Sequence, residues 1–217
     1  MQNNPLLTES TLPFGAIQFD KIENRHYLPA FEQAINEGKQ EIDAIVANPD
    51  APTFSNTIEA LEYAGSALSR VADIFYNILE ANSDDELQDI AEKVSPLLTE
   101  YEMYVSLNEK LFQRVKAVYE QRDSLDLAPD QQMLLKKQYK GFERNGANLS
   151  PDDKKTYSEY EEQLSLLTLQ YGRNLLASTN AFTMVLTQES DLAGLPGYIR
   201  DMAAQAAKEN DTEGWLF

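Results

Sequence analysis

From Pro52 to Ala81 the apolar positions return at alternating intervals of three and four: Ile58, Leu61, Gly65, Leu68, Ala72, Phe75 and Leu79. That period places them on one stripe of an α-helix, so a single long helix burying a wide face is expected here. Thr53, Ser55 and Asn56 are each suited to cap its start, and Asn56 with Glu59 has the spacing of a capping box. The polar face opposite the stripe carries Glu62, Ser66, Arg70 and Asn77. It is where solvent, or a channel, should lie.

The same period recurs through most of the chain. Leu28, Phe31, Ile35, Ile42 and Ile45 predict a helix from about Glu23 to Ala47, with Pro29 tolerated near its start. The run Asn48-Pro49-Asp50-Ala51-Pro52 ends it. Leu87, Ile90, Val94, Leu97, Tyr101 and Tyr104 continue the pattern to about Val105. Ser83 with Glu86 is the expected capping box of this helix, and Pro96 should kink it or split it in two. Asn108 opens a further helix with Leu111, Phe112, Val115 and Tyr119. Another spans Gln131 to Arg144, closed by Asn145-Gly146. Ser150-Pro151-Asp152-Asp153 combines a capping serine, a proline at the first helical position and acids in the first turn. Tyr157, Tyr160, Leu164, Leu167, Tyr171 and Leu175 carry that helix to about Ser178, a length of ~42 Å at 1.5 Å per residue.

The two ends read differently. Residues 1–19 hold Pro5, Pro13 and Gly15 and read as an extended lead-in. Ala181 to Thr187 is short, aromatic and β-branched, and reads as a strand. A turn or short hook at Asp191–Pro196 and a weaker helix with Ile199, Met202, Ala203 and Ala206 follow. Trp215-Leu216-Phe217 reads as the first residues of a further strand, partner to 181–187 or to sequence beyond, so the chain is expected to be part of a longer protein.

Composition narrows the function classes. Hydrophobic residues make up 42% of the chain and charged residues 25%, enough for a core and inconsistent with global disorder. Eighteen Lys and Arg stand against thirty-six Asp and Glu, a net charge of −18 that would repel a phosphate backbone, so no nucleic-acid partner is expected. Basic or polar partners, peptides included, are compatible, as is a plain solvated helical surface. With no cysteine there is no disulfide, thiolate metal site or cysteine nucleophile. No apolar run approaches the roughly 20 residues that span a bilayer, so no membrane partner is expected. The start, MQNNPLLTES, has neither a basic nor an apolar leader region. The expected location is cytoplasmic, or periplasmic if a signal peptide has been removed.

Chemistry-bearing motifs are sparse. His26 is the only histidine, so the chain has no HExxH and no multi-histidine metal site. A helix-start hydrogen bond is its ordinary role; contact with substrate or another domain is the alternative. The acid pairs Asp84-Asp85, Asp152-Asp153 and Glu161-Glu162 face different directions on their helices and read as caps and solvated faces rather than catalytic dyads. There is no glycine-rich phosphate loop and no serine-hydrolase elbow. Eleven tyrosines, several on apolar stripes, suit half-buried walls, with some hydroxyls free to meet peptide backbone in a groove. No residue is assigned to catalysis or to metal, and no substrate-binding residue is assigned.

Several phrases resemble the N-terminal region of zinc metallopeptidases of the thimet oligopeptidase family, and most closely its bacterial peptidyl-dipeptidase (dipeptidyl carboxypeptidase) branch. They are Asn4-Pro5-Leu6-Leu7, Ser10-Thr11-Leu12-Pro13-Phe14, Phe19-Asp20-Lys21-Ile22, His26-Tyr27-Leu28-Pro29-Ala30-Phe31 and Phe54-Ser55-Asn56-Thr57-Ile58-Glu59-Ala60-Leu61-Glu62. Asn108-Glu109-Lys110-Leu111-Phe112, Arg144-Asn145-Gly146-Ala147 and Leu192-Ala193-Gly194-Leu195-Pro196 continue the series. The resemblance implies a mainly α fold: the multi-helix N-terminal region of a zincin-like, neurolysin-type metallopeptidase, with one or two short strands near the C-terminal end. It implies a helical N-terminal domain over residues 1–178 and a strand-helix-strand segment over 179–217 leading into a catalytic region beyond. It also implies a zinc-dependent parent that removes dipeptides from short oligopeptides, or cleaves within them, through a deep channel that this region walls. Zinc would belong to the parent and not to these residues, which are expected to be inactive alone. The alternative is a free-standing acidic helical module that binds peptides or proteins.

Overall fold

Helix is what the patterning predicts, and helix dominates the computed structural model, which describes residues 4–8 and 10–217. The expectations for residues 1–3 and 9 of the lead-in lie outside the described residues. The chain divides into two compact units, Met1–Leu169 and Gln170–Phe217.

In the first unit, α1 (Tyr27–Ala47) follows a 3-10 turn at Asn24–His26. A π-helical turn, Phe54–Glu59, leads into α2 (Ala60–Tyr63) and then α3 (Ser66–Ala81). α4 (Asp85–Ser106), α5 (Glu109–Glu120) and α6 (Pro129–Arg144) follow, and α7 (Pro151–Ala181) runs across the division between the units. The apolar faces build two cores. Phe31, Ala34 and Ile35 of α1, Leu68, Val71 and Phe75 of α3, and Leu87, Ala91 and Val94 of α4 form one. Phe75 is its hub, with edge-on contacts to Tyr27, Phe31 and Tyr76 at centroid distances of 5.0, 5.4 and 5.2 Å. The other joins Ile42 and Ile45 at the far end of α1 to Ile58, Leu111, Phe112, Val115, Leu135 and Phe142.

The stretch 52–81 is not the single helix that its spacing predicts. It breaks at Ala64-Gly65, where Gly65 adopts φ +78. That left-handed conformation is open to glycine at little cost. The break divides the stripe: Ile58 enters the second core, while Leu68 and Phe75 enter the first. A Cβ on Gly65 would lie 2.9 Å from the Tyr101 hydroxyl oxygen, and one on Gly38 of α1 would lie 2.7 Å from it. The two glycines therefore make room for one tyrosine. The Gly65 amide donates to Glu41 Oε2 at 2.7 Å, which satisfies a backbone group freed by the break.

Helix ends follow local chemistry, with two shifts of position. The capping pair of the π-helical turn is Thr53 with Asn56, not Asn56 with Glu59: Thr53 Oγ1 accepts from the Asn56 amide at 3.1 Å, and Asn56 Oδ1 accepts from the Thr53 amide at 2.8 Å. Asp84 rather than Ser83 caps α4, accepting from the Leu87 amide at 2.7 Å. A carboxylate is the better acceptor at a positive helix end. Asn108 and Ser150 cap as expected, accepting from the Leu111 amide at 3.0 Å and the Asp153 amide at 3.2 Å. Pro96 lies inside α4 without splitting it. The lead-in is not uniformly extended: it contains 3-10 turns at Pro13–Gly15 and Phe19–Lys21, and Leu6 is fully buried in the first core.

The stripe of α7 is the largest departure. None of its described residues is buried; Tyr160 is 66% exposed and Tyr171 70%. In the second unit, β1 (Val185–Leu186) pairs antiparallel with β2 (Trp215–Leu216), shorter than the strand expected over 181–187 but with the expected partner. Backbone bonds between Met184 and Phe217 at 2.8 and 2.9 Å extend the ladder. Gly214 has φ +95, and a Cβ there would meet the Leu186 carbonyl oxygen at 2.3 Å, so the approach of the strands requires glycine. Between the strands lie a 3-10 turn, Glu189–Leu192, and α8 (Gly197–Glu209), which buries Ala203 and Ala207 and leaves Met202 66% exposed.

Two stability outcomes follow. Leu68→Ala should cost about 2–5 kcal/mol in denaturant unfolding, because Leu68 is only 6% exposed in the first core. A change near zero would contradict that burial. Gly65→Ala should cost at least the about 1–2 kcal/mol of left-handed strain. Adding Tyr101→Phe should recover only the part due to the hydroxyl, and a double-mutant cycle in the same unfolding assay reads that coupling.

Candidate functional site

α3 sends Leu68, Val71 and Phe75 inward, which leaves Ser66, Ser69, Arg70, Asp73 and Asn77 on its outer face. The lead-in lies against that face. It is held by Leu6 in the core and by Asn4, whose side-chain amide donates to the His26 carbonyl at 2.8 Å. Asn4 Oδ1 also accepts from the Leu6 amide at 3.0 Å. Two concavities result, both within the first unit, and they share Ile17, Arg70 and Ile74.

The first has a volume of about 630 Å³. Leu6, Ile17, Ile22 and Ile74 make its apolar surface, and Thr8, Ser10, Lys21, His26 and Arg70 are among its polar groups. His26 Nδ1 accepts from the Glu23 amide at 3.0 Å, so the ring carries its proton on Nε2. This is the helix-start bond expected of that residue. The second concavity, of about 660 Å³, carries Glu62, Ser66, Arg70 and Asn77, the whole polar face read from the helical period, together with Asp73 and Ser69. Arg70 thus sits where the two meet. Its Nη2 donates to the Leu6 carbonyl at 3.4 Å, and its Nε is buried without a partner.

A third concavity, of about 350 Å³ and largely apolar, lies between α2, α4 and α6. Tyr101, Ser106 and Gln138 contribute to it. Ser106 Oγ and Gln138 Oε1 are buried there without a protein partner, while Gln138 Nε2 donates to the Ile58 carbonyl at 3.2 Å and to Glu62 at 3.1 Å. Sequence reading misses Ser106, Gln138 and Lys21. Their roles arise from packing between elements distant in the chain, and no local spacing encodes that.

The acid pairs stay apart from these concavities. Asp84 and Asp153 serve helix starts, Asp153 also accepting from the Ser150 hydroxyl at 2.7 Å. Several tyrosine hydroxyls donate to carboxylates of this chain: Tyr104 to Asp43 and Tyr139 to Glu143, the latter at 2.9 Å. These bonds hold both phenols above their ordinary pKa, as the bond to the acceptor favours the neutral form. Tyr101 is also raised, first by burial and then by the charge of Glu41. Among the described residues no group of three or more His, Cys, Asp or Glu could hold a metal ion. No helix among them is long and apolar enough to cross a membrane.

No family model matches the chain. The dipeptidyl carboxypeptidase of Escherichia coli (strain K12) is 38% identical to it over 214 residues, 98% of this chain and 31% of that relative. The chain is related to the dipeptidyl carboxypeptidases and oligopeptidases A. The dipeptidyl carboxypeptidase of Salmonella typhimurium is also 38% identical, over 213 residues, and the oligopeptidase A of E. coli is 29% identical over 213. The chain spans 31% of the length of each. This bears out the resemblance to the N-terminal region of thimet-oligopeptidase-type enzymes, and the described fold bears out the mainly α expectation.

Burial of Tyr101 has a pH consequence. Its folded pKa lies above the ordinary value near 10, so its neutral form is favoured on folding. That contribution is complete below about pH 10 and is lost as pH rises through the folded pKa. Tyr101→Phe should therefore lose less stability than the parent chain between pH 10 and pH 12, read from urea melts across that range.

Proposed function

We propose that these residues form an N-terminal, non-catalytic part of a zinc metallopeptidase that removes dipeptides from short oligopeptides or cleaves within them. The observation that carries this reading is the match to dipeptidyl carboxypeptidase along 98% of the chain but only 31% of the relative. In this reading the catalytic apparatus lies outside these 217 residues, and short peptides reach it past a wall that they help to build. The outer face of α3 is the candidate wall: it is concave, polar and continuous over two cavities. Zinc would be held by the remainder of the enzyme, since the one histidine here spends Nδ1 on a backbone amide. The exposed stripe of α7 fits a face that packs against that remainder.

The test compares this chain with the protein encoded by its whole reading frame. The whole protein should carry an HExxH sequence and release C-terminal dipeptides, and a chelator should abolish that activity. The 217-residue chain, free of any tag, should bind no stoichiometric zinc and hydrolyse no peptide. Tight zinc binding with turnover by the chain alone would overturn the non-catalytic assignment. A reading frame without HExxH would leave the acidic binding module as the better reading.

A further inference from the structure

The chain carries twice as many acids as bases, yet the cavity between the lead-in and α3 is lined by Lys21 and Arg70 and, among the described residues, by no carboxylate. The nearby Glu23 is committed elsewhere, to Arg25 at 2.9 Å. Neither Lys21 nor Arg70 forms an ion pair with a described acid. Arg70 is also short of acceptors. Arg114, the comparable half-buried arginine, donates to the Asn48 and Asp50 carbonyls and to Asn56 Oδ1 at 2.9, 3.3 and 3.2 Å. Arg70 has only one long bond, to the Leu6 carbonyl, and, as in Arg114, its Nε is buried without a partner. A buried guanidinium N–H without an acceptor is costly, and its planar fork matches a carboxylate. Beside it lie an imidazole whose proton is on Nε2 and an apolar surface from Ile17, Ile22 and Ile74. The volume, about 630 Å³, suits a small organic ligand.

We propose that this cavity is a carboxylate site for the free C-terminus of a short peptide: Arg70 takes the carboxylate, Lys21 adds charge, and the terminal apolar side chain lies on Ile17, Ile22 and Ile74. The choice of a peptide over another organic acid rests on the peptidase reading above. The anion site itself stands on the arrangement of charge in the cavity.

The test uses the 217-residue chain with N-acetyl-alanyl-leucine, the same compound as its C-terminal amide, and inorganic phosphate. Calorimetry gives affinity, and the Arg70 Nε–H signal in a 1H–15N spectrum reports contact. The free acid should bind, move that signal, and bind about tenfold or more tightly than the amide. Arg70→Gln should weaken it by a similar factor. Lys21→Gln, at an exposed position where folding is not at stake, should weaken it by a smaller one. Equal binding of acid and amide, or a signal that no ligand moves, overturns the site. Phosphate binding as tightly as the acid overturns the peptide assignment and leaves a simple anion site. Because these readouts are binding to this chain, they stand or fall apart from cleavage by the whole protein.

Discussion

The first unit is organised around one tyrosine seated between two glycines. Tyr101 of α4 has its hydroxyl where a side chain at Gly38 or Gly65 would begin, and Glu41 accepts the Gly65 amide beside it. Three helices meet at that point, α1, α3 and α4, and the packing between them depends on the absence of two Cβ atoms. The left-handed turn at Gly65 is also what separates Ile58 from Leu68. Without it, the apolar positions of 58–79 would lie along one line and serve one partner. With it, they supply two cores, one around Phe75 and one around Phe112.

That division explains which parts of the fold are legible in the sequence. Caps at Asn108 and Ser150 are legible because acceptor and amide lie three residues apart. The pairing of Trp215 with the 185–186 strand is legible because both segments are short, apolar and β-prone. Gly65 is misread because a periodicity count treats it as one more small residue on the stripe. What leaves no room for a side chain there is Tyr101, 36 positions later in the chain. Ser83 and Asp84 are adjacent acceptors, and a residue pattern cannot choose between them; the negative charge of Asp84 decides. The α7 stripe is a different case. Amphipathicity identifies an apolar face but does not provide the surface that covers it.

The concave face of α3 was half legible. Glu62, Ser66, Arg70 and Asn77 follow from the helical period, and all four line the same concavity. Lys21, His26 and Ile17, which line the neighbouring cavity together with Arg70, come from the lead-in and its turns. They reach α3 because Leu6 is buried and Asn4 bonds the His26 carbonyl, two tethers with no period to announce them.

The net charge of −18 bears on this cavity in a specific way. At physiological ionic strength the field of exposed charges fades over about 8 Å, so the acidic surface sets only a weak general repulsion toward a carboxylate. Inside a concavity, screening is poorer and the nearest groups dominate. Among the described residues that line it, the formally charged side chains are Lys21 and Arg70, and an apolar wall limits how well water can replace a missing acceptor. The charge of that lining is then opposite in sign to the net charge of the molecule. An anion is accepted at this cavity and discouraged over the acidic surface around it, so the general acidity of the chain sharpens the selectivity of a site whose affinity comes from Arg70.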